Sequence, residues 1–314
     1  MPLDEHVFVF PGQGAQAVGM CKDIYDALPE VRAMFARADE ITGTALSKAI
    51  LEGPDTALVD TANQQPALVL VGLAIKKAIE IKLGRELGCS AAAGLSLGEY
   101  AALAAVGALS FDEAIRLVRK RGELMKAASE QSASGMSVVM NLDIEKIRAA
   151  CEQASKEAGG IVTPSNFNGG GQIVIGGNLE ALARAGELCK AAGAKRVLKL
   201  PVAGAFHTPL MQPAADAFAS VIDRADIRKA TQPVYANFSA ARVIDPAEIR
   251  EGLKRQITSP VLWEQTIKHL VETGRKKFLE LGPGSSVSNM IKRISPEAEC
   301  KSVSTWADVQ AFAG

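Results

Sequence analysis

The sequence predicts an α/β protein. One unit holds a mostly parallel sheet, and a smaller unit of order β-α-β-β-α-β is inserted into it. Three observations point there. Short apolar runs closed by glycine-rich turns alternate with helical patterns in both the first and last thirds of the chain. The middle third switches to strand, helix, two strands around a glycine turn, helix and strand. The 314 residues, 48% of them hydrophobic, suffice for roughly two units of about 150 residues each. The expected division is 1–131 with 201–314 for the large unit and 132–200 for the small one.

Taken in order, residues 6–10 (HVFVF) read as a buried strand, stopped by Pro11-Gly12. Helical patterns follow to about residue 85. Residues 89–95 (CSAAAGL) read as a second buried strand; alanine is a poor strand former, so the flanking glycine and the helix behind it carry that reading. In the middle, 135–141, 160–166, 172–176 and 195–200 read as strands, and 144–158 and 178–192 as helices. The sequence NGGG supplies the hairpin turn. Then come a helix over 210–223, a strand over 233–237, a helix over 263–273 and a last strand over 277–281. That strand ends in GPGSS, at the carboxyl end where open α/β sheets place ligands.

Composition excludes several classes. Lysine plus arginine equals aspartate plus glutamate, 35 each, so no whole-molecule attraction to nucleic acid or anionic lipid is expected. Cys21, Cys89, Cys151, Cys189 and Cys300 show no metal-ligand spacing, and their odd number does not read as a disulfide framework; a reducing compartment is expected. No apolar run is long enough to span a bilayer, and MPLDEHVFVFPGQG carries no signal-type apolar region.

Within GLSLGEYAAL, Ser96 stands between Gly94 and Gly98, after a strand and before a helix. G-x-S-x-G in that setting exposes a serine Oγ at a strained corner beside a helix N-terminus. The same pattern also arises as a merely tight turn. A serine nucleophile needs a base, and the chain has three histidines. His6 opens a strand and His269 falls on the solvent side of its helix. His207, in a loop of small residues at the junction of the two units, is the candidate base. The glycine-rich turn PGQG, after the first strand, lacks the spacing of a dinucleotide or phosphate loop. It is placed to bring a backbone N–H toward the serine corner, as an oxyanion hole requires.

Residues 111–128 (FDEAIRLVRKRGELMKAA) form an amphipathic helix whose apolar stripe is Ala114, Leu117, Val118, Leu124 and Met125. Arg121 falls in the middle of that stripe. A buried guanidinium must be paired. Its partner is either an internal acid or the carboxylate of a ligand, which arginine grips with two parallel hydrogen bonds, and periodicity leaves both open. Gly122 beside it leaves room for another backbone.

Together FPGQGAQAVGM, QQPAL, GLSLGEYAAL, RLVRKRGELM, SNFNGGGQIVIGG, KAAGAKRVLKLPVAGAFHTPLM, RQITSPVLW and LELGPG resemble the malonyl-CoA:acyl carrier protein transacylase family, the FabD-type acyltransferases. The resemblance runs collinearly over nearly the whole chain. It implies an α/β-hydrolase-like core with a ferredoxin-like small domain. It implies Ser96 as the acyl carrier, His207 as general base, and Arg121 as the holder of the malonyl carboxylate. The N–H groups of Gln13 and Leu97 would form the oxyanion hole, and the main-chain carbonyl of Gln256 would orient His207. Phe206, just before the histidine, resembles a residue that rejects an α-methyl branch, and core packing explains it nearly as well. Many relatives carry histidine before the nucleophile; here Leu95 stands there, which puts one polar contact to substrate in doubt.

The implied reaction is malonyl transfer from coenzyme A to the phosphopantetheine thiol of acyl carrier protein, for fatty-acid elongation. A polyketide pathway would use the same site, and a serine esterase or thioesterase is the rival from another class. No metal or cofactor is expected beyond the coenzyme A thioester itself. The implied form is a cytoplasmic monomer, or a stromal one if a photosynthetic source had its transit peptide removed. Lys292-Arg293 and 275–277 (RKK) are candidate surfaces for an acidic carrier protein, and a simply solvated charged face explains them as well.

Overall fold

The computed structural model describes residues 5–313. Among the described residues, ten strands form two sheets. The strands are β1 (Val7–Phe10), β2 (Ala91–Gly94), β3 (Ser134–Met140), β4 (Val162–Gly169) and β5 (Gln172–Asn178), then β6 (Arg196–Lys199), β7 (Val234–Tyr235), β8 (Arg242–Val243), β9 (Lys277–Leu281) and β10 (Glu299–Val303). The larger sheet has the order β10-β9-β1-β2-β7-β8. It is parallel except for β8, which runs antiparallel to β7.

Alternation explains how this sheet is covered. Phe8 and Phe10 point into one apolar layer, shared with the helix Thr61–Leu83. Val7 and Val9 point into the other, with Trp263, Ile267 and Ile291. The helix Thr61–Leu83 is apolar nearly all round because it is buried nearly all round, and Gln64 and Gln65 go into the interior with it. No helix among the described residues is long and apolar enough to cross a membrane.

The smaller sheet has the order β4-β5-β3-β6, all antiparallel. The helices Ile144–Ala158 and Leu179–Ala191 pack on it around a separate core that includes Val139, Ile147 and Ile175. Strand β4 is tied to the large unit through Val261, just before the helix Trp263–Glu272. Phe167 N–H donates to the Val261 carbonyl at 2.9 Å, and Val261 N–H donates to the Ser165 carbonyl at 2.9 Å.

Two strands escape the sequence reading. Residues 277–281 are not the last strand, because β10 adds itself to the outer side of β9. Its sequence ECKSV is exposed at alternate positions and carries no apolar run to announce it. Strand β8 is two residues long.

Candidate active site

The site forms at the carboxyl ends of the parallel strands. Strand β2 turns sharply into the helix Gly98–Ala105, and the turn puts Ser96 at φ +56°, in the left-handed region. A non-glycine residue held there signals strain that the surroundings must enforce. They do so through Asn237. Its Oδ1 accepts from Ser96 N–H at 2.7 Å, while its Nδ2 donates to the Gly94 carbonyl at 2.7 Å. The two glycines are sterically required. A Cβ on Gly94 would lie 2.0 Å from the Gly98 carbonyl carbon, and one on Gly98 would lie 2.6 Å from the Phe10 carbonyl oxygen.

His207 is also left-handed, at φ +59°, and 3% exposed. Its Nε2 lies 2.7 Å from Ser96 Oγ, and its Nδ1 lies 2.9 Å from the Gln256 carbonyl oxygen. A carbonyl only accepts, so Nδ1 carries the hydrogen and Nε2 presents its lone pair to the serine hydroxyl. Burial, and then the neighbouring Arg121 cation, lower the histidine pKa from 6.5 to about 4. The imidazole is therefore neutral at neutral pH, the form that can take a proton.

Arg121 is 1% exposed, as its place in the apolar stripe predicts. Among the described residues no acid pairs with it. Nη1 donates to Gln65 Oε1 at 2.7 Å, and Nη2 donates to Gln256 Oε1 at 3.0 Å and to Ser96 Oγ at 3.1 Å. Nε has no acceptor among the described residues. The internal ion pair that periodicity left open is thus absent there. Gly122 does admit another backbone: a Cβ on it would lie 2.6 Å from the Thr61 carbonyl oxygen.

A cleft of about 160 Å³ opens over these groups. Gln13, Leu95, Leu97 and Phe206 line it together with Ser96, His207 and Arg121. The PGQG turn lies against the serine corner, since a Cβ on Gly12 would fall 2.6 Å from the Leu95 carbonyl oxygen. Leu97 is the N-cap of the helix behind Ser96, where N–H groups have no partner inside the helix. A hollow of about 620 Å³ elsewhere has no serine, cysteine or histidine in its lining. His269 is exposed, its ring edge-on to Tyr235 at 5.3 Å, and His6 precedes β1 at the other end of the sheet.

The sequence reading missed three polar residues of this site. Gln65 holds Arg121. Asn237 holds the serine corner. Glu99, 3% exposed, accepts at Oε2 from Asn237 N–H at 3.0 Å and from Gln256 Nε2 at 2.7 Å. Burial pushes its carboxyl up to about 7, against those two donors and the Arg121 cation. One signal was present for Glu99: it is the only charged residue in GEYAALAA, a segment too apolar to leave a face for solvent.

The chain matches the acyl transferase domain family over residues 7–310. It is 40% identical over 304 residues to the malonyl CoA-acyl carrier protein transacylase of Bacillus subtilis, covering 96% of this chain and 94% of that one. It is 38% identical to the protein of the same name from Escherichia coli K12, covering 93% of each. An acyl carrier protein S-malonyltransferase structure from Vibrio cholerae superposes with a TM-score of 0.92 at 39% identity, over 98% of this chain and 99% of that one. A malonyl-transacylase solved in complex with a type II PKS acyl-carrier protein also gives 0.92 at 39% identity, over 98% of both chains. With the serine, histidine and arginine of its motifs gathered in one cleft, the chain belongs to the malonyl-CoA:acyl carrier protein transacylase family of acyl transferases.

Proposed function

We propose that this protein transfers the malonyl group of malonyl-CoA to the phosphopantetheine thiol of acyl carrier protein, through a malonyl ester on Ser96, to supply fatty-acid elongation. One observation carries the reading. A buried arginine with no acid partner among the described residues stands 3.1 Å from a serine Oγ that is itself 2.7 Å from a neutral imidazole.

Ser96 Oγ attacks the thioester carbonyl while His207 Nε2 takes its proton. The resulting imidazolium is steadied by its Nδ1–H bond to the Gln256 carbonyl. No acidic third member is needed. The N–H groups of Gln13 and Leu97 receive the oxyanion. The C–S bond breaks, and His207 returns the proton to the coenzyme A thiolate. In the second half the carrier thiol gives its proton to His207 and attacks the ester, and Ser96 leaves with that proton. Every proton is accounted for by these groups, so the route calls on no cofactor beyond the thioester. Arg121 grips the malonyl carboxylate, which lies only three bonds beyond the serine oxygen. An esterase or thioesterase has no use for such a cation. Phe206, against the cleft beside His207, limits branching at the α-carbon.

The acidic carrier protein is expected to dock at Lys292-Arg293. They are exposed at the end of the helix whose Met290 lines the cleft. The run at 275–277 lies at the amino end of β9, away from the serine corner, and Lys277 is paired with Glu5 at 2.6 Å. We take the large unit as α/β-hydrolase-like, on its parallel sheet and serine corner. We take the small unit as ferredoxin-like, on its element order and its strand order β4-β5-β3-β6. The working form is read as a cytoplasmic monomer. The polyketide reading keeps the same chemistry and is favoured by the likeness to the transacylase bound to a type II PKS acyl-carrier protein.

Intact-mass analysis tests the reading. Mixed with malonyl-CoA, the protein gains one malonyl group, which passes on when holo-acyl carrier protein is added. Ser96→Ala gains none. Water-consuming release of free malonate, with no transfer to carrier, would refute the proposal in favour of hydrolysis. Native mass measurement in the same run reads the oligomeric state.

A further inference from the structure

Glu99 is used by no step above, yet it sits at the centre of the site's buried hydrogen bonds. We propose that Glu99 is a positioning residue for acyl selection: through the side-chain amide of Gln256 it holds Arg121 in place beside Ser96, ready for a carboxylate.

The argument rests on the two unlike ends of an amide. Gln256 Nε2 donates to Glu99 Oε2 at 2.7 Å and to the Ser96 carbonyl at 3.0 Å. The Ser96 carbonyl only accepts, and Glu99 Oε2 is already an acceptor, taking the Asn237 N–H, so the NH2 end of the amide faces both of them. Its oxygen is thereby turned to Arg121 Nη2, 3.0 Å away. The opposite rotamer would set N–H groups against the guanidinium, donor against donor, and push it off. Glu99 also accepts from Asn237 N–H, so the residue that anchors the serine corner anchors the acid as well.

The interposed amide has a chemical consequence. An acid in direct contact would neutralise the cation and occupy its donors. Held one amide away, Glu99 orients the arginine without pairing with it directly: Nε has no acceptor among the described residues, and of the two Nη2 hydrogens only the one on Gln256 is tied up by this chain of contacts, the other lying on Ser96 Oγ where the substrate arrives. The inference rests on the reading of Arg121 as the malonyl-carboxylate residue, and its test separates the two.

The test compares kcat/KM for acylation by malonyl-CoA and by acetyl-CoA in four variants. Glu99→Leu keeps the volume and removes the acceptor. It is expected to lower the malonyl value at least about 30-fold and to leave the acetyl value within about 3-fold. Glu99→Gln keeps an acceptor oxygen and is expected to restore malonyl acylation to within about 3-fold of wild type. Gln256→Met leaves the main-chain carbonyl on His207 and removes only the amide. It is expected to reproduce the malonyl-selective loss, and it decides the matter if Glu99→Leu does not fold. Equal losses for both acyl groups in the Leu or Met variant would mean a merely structural role and overturn the proposal. So would no loss in either, or a Gln variant as impaired as the Leu variant. Arg121→Ala is the control: if it keeps the preference for malonyl, the reading of Arg121 fails; if it loses the preference while Gln256→Met and Glu99→Leu keep it, only the proposal about Glu99 fails.

Discussion

The floor and the wall of the cleft are built on different physics. The floor belongs to the large unit and is a polar network under an apolar roof. Ser96, Glu99, Arg121, His207, Asn237 and Gln256 are joined by hydrogen bonds between residues 25 to 160 positions apart. The wall includes Met136 and Val174 of the smaller sheet, and these pack into the same apolar cluster as Phe206. A buried polar network has one satisfactory arrangement, because each unmade bond leaves a desolvated group unpaired. An apolar wall has many, because volume-conserving exchanges are tolerated. On the proposed function, chemistry and carboxylate selection belong to the floor, and the shape accepted around the acyl group belongs to the place where Phe206 meets the wall.

Titration breaks the comparison most sharply, since it acts on the floor alone. His207 stays neutral in the fold down to about pH 4, whereas an unfolded histidine protonates near 6.5. Between these values the unfolded chain binds more protons, so this residue makes stability rise with pH. Glu99 does the reverse. It keeps its proton up to about pH 7 against 4.5 when unfolded, so in that window it makes stability fall as pH rises. The two nearly cancel from 4.5 to 6.5. Urea unfolding of wild type and His207→Gln at pH 5 and pH 6 should show wild type gaining about 1.2 kcal/mol relative to the variant over that one unit. A pH-independent difference would refute the neutral, buried imidazole.

Phe206→Ala sharpens the other side. Removing the ring is expected to raise methylmalonyl acylation relative to malonyl about 10-fold, measured as a ratio of kcat/KM values. An unchanged ratio would reduce Phe206 to packing. The smallest effect belongs to the surface. Reversing Lys292 and Arg293 to glutamate is expected to raise the KM for carrier protein about 3-fold at moderate salt and to leave acylation by malonyl-CoA untouched. No rise, or a rise that salt does not diminish, would place docking elsewhere.

The same contrast explains what the sequence discloses. Ser96 is legible because the corner needs two small neighbours at fixed spacing. Arg121 is legible as buried because a cation in an apolar stripe stands out against a period of 3.6. Whether it met an acid or stood ready for a ligand was not legible. That depends on Gln65 and Gln256, ordinary residues 56 and 135 positions away. Asn237 gives no local sign at all. Strand β10 hides for the opposite reason: at an edge, half exposed, it needs no apolar run.

The main-chain bonds from Val261 to Ser165 and Phe167 fasten the small unit to the segment that begins just after Gln256, whose carbonyl accepts from the imidazole. A jaw opening at that seam would drag the base out of line with the serine. The seam thus couples the gauge of the slot to the alignment of the imidazole with the serine.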